Sequence, residues 1–462
     1  LEIVILWGDL LNSTTCIRTE IEYYMNNNRM TLQGLSEEAG MNKGILSAII
    51  NRSPPKSIAV SHLDRITAAM KLPEGALYDL YVDECFVTNN PNWRRLRPFI
   101  LRCAAIGNYD CIEEVLERLA DDLSYLPGIF MTAELLYQEG RNQAATMLYK
   151  CVAVGEKYQH SERLAMCQYR LFSLSIGQDQ SVNFRATVQF EPYVDRLPED
   201  IQLDALRELV NLYFTMEEMD KVIEISEKMV FRADCQHAVE MRKVVRTKRK
   251  IRYPVLAYRA YGYLMWAAAY SRKGNYEAGY KYTLLYTEMD WSEEREEDVH
   301  THIAKFQKWG EANKCAFRLR LGEWAVLPDY VAYMSENEEE VLSGLLMMTE
   351  SANKYDIDVD QVLNQFEDQI TSFSESKWSS GYTEQFSPNR SLKFLTELGV
   401  YYLRRQRFDM GFKWILHSLQ TSIRINSKSG FISCVRVFEE FRYVASPEFQ
   451  LEYTRIVKEM RK

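Results

Sequence analysis

The feature that most constrains this chain is a series of short polar turns set at nearly even intervals. GNYD at 107–110, EGRN at 139–142, IGQD at 176–179 and MEEMD at 216–220 come first, and KGNYE at 273–277 and RQRFD at 405–409 have the same make-up further on. The first four are spaced by roughly 33 to 40 residues, the length of one helix pair. Between the turns run segments with Leu, Tyr and Ala at helical spacing. A single pair cannot bury its own apolar stripe, so successive pairs must stack to be stable. Only 12 prolines and 20 glycines interrupt 462 residues, which leaves long helices as the economical solution. The expectation is an all-α chain, too long for one ordinary core.

The front of the chain is different. TLQGLSEEAGMNKGILSAIINR, 31–52, reads as two short helices broken at Gly40. Leu32, Leu35 and Ala39 make one apolar face, and Gly40 can take the left-handed conformation that stops the helix. Asn42 is placed to cap the second helix, which would turn Leu46 and Ile49 inward. Asn42, Lys43, Gly44, Ser47, Asn51 and Arg52 would then face outward. A small, polar, basic outer face is what reading a major groove requires.

Around this pair, residues 14–27 read as a first helix with Ile17, Ile21 and Tyr24 inward. A fourth helix opens at Ser57 or Ala59 and runs to Met70, with Leu63 and Ile66 inward. A fifth spans 74–86 on Leu77, Leu80 and Tyr81. VTNNPNW, 87–93, has the composition of a linker. The domain reading is therefore 1–86, a linker at 87–93, and a repeat array over 94–462. The basic stretch 242–252 (RKVVRTKRKIR) and the acidic runs 293–298 and 337–340 read as solvated surface.

Composition narrows the functional classes. With 47% hydrophobic and 26% charged residues the chain is globular. A net charge of −9 excludes nucleic-acid binding by bulk attraction. Any such affinity must come from Arg18, Arg29, Lys43, Arg52 and Lys56, which cluster around the proposed reading helix. Nine cysteines are scattered without a CxxC pair, as in a reducing cytosol. The apolar opening LEIVILWGDLL is too short to span a bilayer and follows no basic stretch, so a cytoplasmic protein is expected. No HExxH, P-loop, GxSxG or Cys/His metal spacing occurs. His300 and His302 would point about 200° apart on a helix, too far for a shared metal. No catalytic residue, metal or cofactor is expected.

The 31–52 stretch resembles the helix-turn-helix of the phage-repressor-like (XRE) family through Thr31, Leu35, Gly40, Met41, Leu46, Ser47 and Ile49. It departs where that family has a phosphate-contacting Gln, which is Leu32 here with Gln33 one place late. Residues 261–282 resemble a tetratricopeptide repeat through Tyr270, Gly274, Tyr276 and Ala278, and 395–419 through Leu398, Gly399, Tyr402, Phe408 and Gly411. The resemblance implies an N-terminal helix-turn-helix domain followed by a right-handed, tetratricopeptide-like α-solenoid.

In combination the chain resembles the peptide-pheromone receptors of Gram-positive bacteria and their phages (the RRNPP group), most of all the arbitrium-type receptors of lysis and lysogeny. That resemblance implies a homodimer binding a double-stranded operator through Gln33, Asn42, Lys43, Gly44, Ser47, Asn51 and Arg52. It also implies a short signalling peptide in the groove of the array, which alters operator binding. Asn211 falls at a peptide-clamping position, and Arg252 at one that faces the peptide carboxylate. Tyr258 and Tyr261 would wall the groove, with Gln307 and Asn313 as further polar contacts. Two other readings remain open: a protein-binding adaptor that no longer binds DNA, and a plain repressor without a peptide.

Overall fold

The computed structural model describes residues 16–53, 56–87, 91–242, 252–292, 299–375 and 386–459, and all regular structure among them is helical. The proposed apolar opening, most of the basic stretch 242–252 and the acidic run 293–298 lie outside the described residues. Two compact units divide between Leu174 and Ser175.

The first unit begins with α1 (Ile17–Asn27), α2 (Leu32–Glu38), α3 (Lys43–Ile50), α4 (Val60–Ala69) and α5 (Tyr78–Val87). Thr31 caps α2 by accepting from the Gly34 N–H at 3.1 Å, and Asn42 caps α3 by accepting from the Gly44 N–H at 2.8 Å. Gly40 has φ +58° between them, which lets the chain turn without the Cβ penalty other residues would meet. Leu35, Leu46, Ile49, Leu63 and Ile66 share a fully buried core. Leu77 just before α5, and Tyr78, Tyr81, Val82, Glu84 and Cys85 within it, are buried, whereas Leu80 is half-buried. The Tyr78 hydroxyl reaches Asp64 (2.6 Å) and the Tyr81 hydroxyl reaches the Ile58 carbonyl (2.7 Å), which turns the inward stripe by one residue.

The unit continues through α6 (Trp93–Ile106), α7 (Tyr109–Leu119), α8 (Leu126–Gln138), α9 (Asn142–Gly155) and α10 (Glu162–Ser175). The compact division does not fall at 87–93. Phe99 of α6 sits edge-on to Tyr78 and Tyr81 with ring centres 5.1 and 4.9 Å away. Arg102 pairs with Asp64 at 2.9 Å and Arg118 with Asp83 at 2.6 Å. The first array helices are therefore bolted to the front helices by aromatic and ionic contacts.

The second unit comprises α11 (Gln180–Phe190), α12 (Glu199–Thr215), α13 (Met219–Arg242), α14 (Val255–Arg272), α15 (Tyr276–Thr287), α16 (Val299–Arg320), α17 (Leu327–Glu336) and α18 (Val341–Tyr355). It ends with α19 (Asp360–Gln365), α20 (Glu367–Glu375), α21 (Phe386–Arg404), α22 (Phe408–Arg424), α23 (Lys428–Phe441) and α24 (Pro447–Glu459). Neighbours in sequence pack as antiparallel pairs, most extensively α13 on α14 and α21 on α22. At the latter crossing, a Cβ on Gly399 would stand 3.2 Å from the Gly411 carbonyl and 2.6 Å from Ile415, so only glycine allows the approach. The expected turns all lie between helices, with left-handed residues at Gly107, Gly140, Glu217, Gly274 and Gln406. The unit also returns to its own beginning. The Gln180 N–H donates to the Ile425 carbonyl at 3.3 Å, and the Asn426 amide donates to Asp179 (3.2 Å) and Ser181 (3.1 Å).

Candidate functional site

Within the second unit α12, α14, α16, α17, α18 and α21 line a half-open cavity of about 610 Å³. That lies inside the range of roughly 300–1,000 Å³ typical of ligand sites. Two helices contribute to it in the same register. Tyr261, Met265, Ala268 and Arg272 of α14 recur as Trp309, Asn313, Ala316 and Arg320 of α16. Each set recurs at steps of four, three and four residues, the inward stripe of a 3.6-residue helix. Arg207, Asn211 and Phe214 extend the pattern onto α12. The two arginines at the ends of these stripes converge on one carboxylate: Glu350 accepts from Arg272 and from Arg320, each at 2.7 Å. Lys393 stands 3.5 Å from the same carboxylate. Burial alone would raise the Glu350 pKa, but the three cations outweigh it and hold the group below the usual glutamate value.

The walls are aromatic. Arg207 lies over the rings of Tyr253 and Tyr261, 4.9 Å from each centroid. Tyr330 and Tyr333 are near-parallel at 6.4 Å. Trp309 donates its indole N–H to Glu340 at 2.8 Å. Arg390 enters from α21 and donates to the Ser343 hydroxyl at 2.6 Å. Burial depresses the Arg390 pKa, Glu340 pulls it back up, and Arg272 pushes it down again.

Asn211 is buried, lines the cavity, and accepts from the Tyr261 hydroxyl through Oδ1. Its oxygen is thus already engaged within the protein. Arg252 and Asn313 also line the cavity, Asn313 donating to the Tyr286 hydroxyl at 2.8 Å. The other two expected groove residues are elsewhere. Tyr258 is buried between α12 and α14, its hydroxyl on Asp204 and its ring 5.8 Å from Tyr253. Gln307 is exposed, because nine residues from Ala316 is about 180° around a helix. The 337–340 run is not merely solvated either: Asn337 is buried and Glu340 lines the cavity.

Sequence reasoning missed Arg207, Arg272, Trp309, Arg320, Glu340 and Arg390. A signal existed for three of them. WGEANKCAFRLR at 309–320 repeats YGYLMWAAAYSR at 261–272 in its aromatic, glycine, alanine and arginine positions. No local signal marks Arg390, which only the return of α21 against α18 brings to the cavity.

In the first unit, Asn42, Lys43, Gly44, Asn51 and Arg52 are exposed and Ser47 is half-buried along one side of α3. Gln33 is exposed and donates to Glu37 at 2.7 Å. The basic cluster is smaller than expected. Arg18 is a tie within the fold: it grips Glu84 through both terminal nitrogens (2.6 and 2.8 Å) and donates Nε–H to the Ile49 carbonyl at 2.9 Å. Such a guanidinium is not available to a phosphate.

Among the described residues no group of three His, Cys, Asp or Glu is placed to hold a metal, and no helix is long and apolar enough to cross a membrane. All nine cysteines are unpaired, with Cys85, Cys103, Cys111, Cys167 and Cys434 buried. No protein-family model and no curated protein matches the sequence.

Proposed function

We propose that this chain is a peptide-responsive regulator that binds operator DNA through the α2–α3 pair and a short linear peptide through the cavity of the second unit. The observation that carries the reading is the cavity itself. It is large enough for part of an extended oligopeptide, walled by aromatic rings, and supplied with an amide and guanidinium groups suited to backbone carbonyls and carboxylates. The capped α2–α3 turn and the exposed Asn42–Arg52 side support the DNA-binding half. Exposed Ile432, Tyr443 and Leu451 near the C-terminal helices support association into a homodimer. The resemblance to helix-turn-helix and tetratricopeptide receptors points the same way.

The mechanism is a shift between conformations. A dimer holds two reading helices about one DNA turn apart, near 34 Å. Peptide binding favours one arrangement by as much as it prefers that arrangement, and coupling of about 1–3 kcal/mol alters operator affinity several-fold to a hundredfold.

The test is a mobility-shift titration of the full chain with DNA from beside its own gene, repeated with Lys43→Ala/Ser47→Ala. The variant should lose binding sharply while its melting temperature is unchanged. Equal binding by both proteins would refute the DNA-reading role. The use of Arg18 inside the fold and the excess of acids in the first ninety residues favour the second reading, an adaptor that does not bind DNA.

A further inference from the structure

The cavity wall is stepped back in its middle. On α14 and α16 the lining stripe runs from an aromatic ring (Tyr261, Trp309) to an arginine (Arg272, Arg320), and the place just before the arginine is alanine on both, Ala268 and Ala316. Ala312 adds a third small side chain one turn before Ala316. The matching place on α12 holds Phe214. Around this recess Ala312, Ala316, Tyr330, Leu346 and Met347 form one continuous apolar cluster, and all five line the cavity.

Polar groups bordering the recess are bonded within the protein. Arg272 and Arg320 donate to Glu350, Asn313 donates to the Tyr286 hydroxyl, and the Tyr261 hydroxyl donates to Asn211. The recess therefore presents methyl, thioether and ring surface, which is favourably covered by an apolar group and penalises a charged one. Met347 can adapt its thioether to the shape of what it meets.

One polar atom interrupts that surface. Tyr330 is 7% exposed, and no described residue makes a hydrogen bond to its hydroxyl. The hydroxyls of Tyr261 and Ser343 on the same wall do have partners. The Tyr330 hydroxyl lies against α18 at Gly344, where a Cβ would come within 3.3 Å of it. Burial raises its pKa, with the Glu340 charge adding to the rise and Arg320 opposing it, so the phenol keeps its proton as a donor. A buried phenol normally finds a hydrogen-bond partner, and a neutral acceptor on a ligand would supply one.

We infer that the peptide taken by this cavity is anchored by one large apolar side chain seated over Ala312 and Ala316, with an adjoining backbone carbonyl accepting from the Tyr330 hydroxyl. The inference rests on the reading of the cavity as a peptide site. Ala316 then sets the size of the anchor, and Tyr330 fixes the main chain beside it.

The probes are two synthetic hexapeptide pools built from Gly, Ser, Asn and Ala, with one position, scanned along the peptide, held as Leu in one pool and Ala in the other. N-acetyl-leucinamide serves as a small neutral control. Binding to the full chain is followed by calorimetry and thermal shift, with wild type, Ala316→Leu and Tyr330→Phe. Wild type should bind the Leu pool about tenfold to a hundredfold more tightly than the Ala pool, the worth of burying one such side chain. Ala316→Leu fills the recess and should erase that preference; Ala268→Leu, at the matching place on α14, replaces it if that variant melts low. Tyr330→Phe should weaken both pools about threefold to tenfold while the Leu preference survives. Equal binding of the two pools to wild type overturns the apolar anchor but leaves the peptide site standing. A Leu preference that persists in Ala316→Leu and Ala268→Leu overturns its placement, and unchanged binding by Tyr330→Phe overturns the hydroxyl contact. No binding by either pool, or N-acetyl-leucinamide binding as tightly as the Leu pool, overturns the peptide site as well.

Discussion

Glu350→Gln is the most direct probe of how the cavity is held open. The carboxylate is 17% exposed, and its partners Arg272 and Arg320 are 16% and 13% exposed, so water cannot replace it cheaply. Each charged hydrogen bond is worth about 1.5–3 kcal/mol net. Glutamine keeps one neutral acceptor, so the loss should be about 3 kcal/mol, at the lower end of the roughly 3–5 kcal/mol seen when one member of a buried pair is removed. At about 2–4 °C per kcal/mol the melting temperature should fall by roughly 6–12 °C. Calorimetry measures the fall, and hydrogen exchange of segments from α14 and α18 places it. The pH dependence adds a sign. Because the folded pKa is depressed, the Glu350 contribution is complete above 4.5, the ordinary value, and is lost as pH drops through the lowered one. The gap between wild type and variant should therefore narrow in acid. A variant that melts within about 1 °C of wild type at neutral pH, below the shift expected for even 1 kcal/mol, would refute the role given to Glu350.

Three further outcomes are expected. Asn211→Ala strands the Tyr261 hydroxyl and should weaken peptide binding at least tenfold, at a cost of about 1–3 kcal/mol. Calorimetry on Asn211→Ala, Tyr261→Phe and the double variant separates the ligand contact from the internal one. Arg18→Met should destabilise the first unit by about 3–5 kcal/mol, because Glu84 is left buried and unpaired; Arg18→Met/Glu84→Leu should recover much of this in a urea titration. Ile432→Asp/Leu451→Asp should convert a dimer to monomers in light scattering, and an unchanged mass would remove these residues from the interface.

The parts legible in the sequence were those fixed by local chemistry. Thr31 and Asn42 announce helix starts, Gly40 a left-handed turn, and Leu46 and Ile49 an inward stripe, and each is a matter of a few neighbouring residues. The six polar turns are local in the same way. The cavity was half legible: Asn211, Arg252, Tyr261 and Asn313 line it, but Tyr258 and Gln307 do not. For Gln307 the error is one of helical phase, since two residues of displacement turn a side chain by about 200°. For Arg390 and Glu350 no local cue exists, because they meet α14 and α16 only after long excursions of the chain. Arg18 looked like a surface cation because nothing nearby in sequence announces Glu84, 66 residues away.

The bonds from Asp179, Gln180 and Ser181 to Ile425 and Asn426 have a mechanical consequence. An open row of repeats can fray from either terminus, each pair leaning on its neighbours alone. Fastening the opening helix to the turn before the penultimate one gives α11 a second anchor, so fraying from that end must also break these bonds, whereas α23 and α24 keep an end of their own.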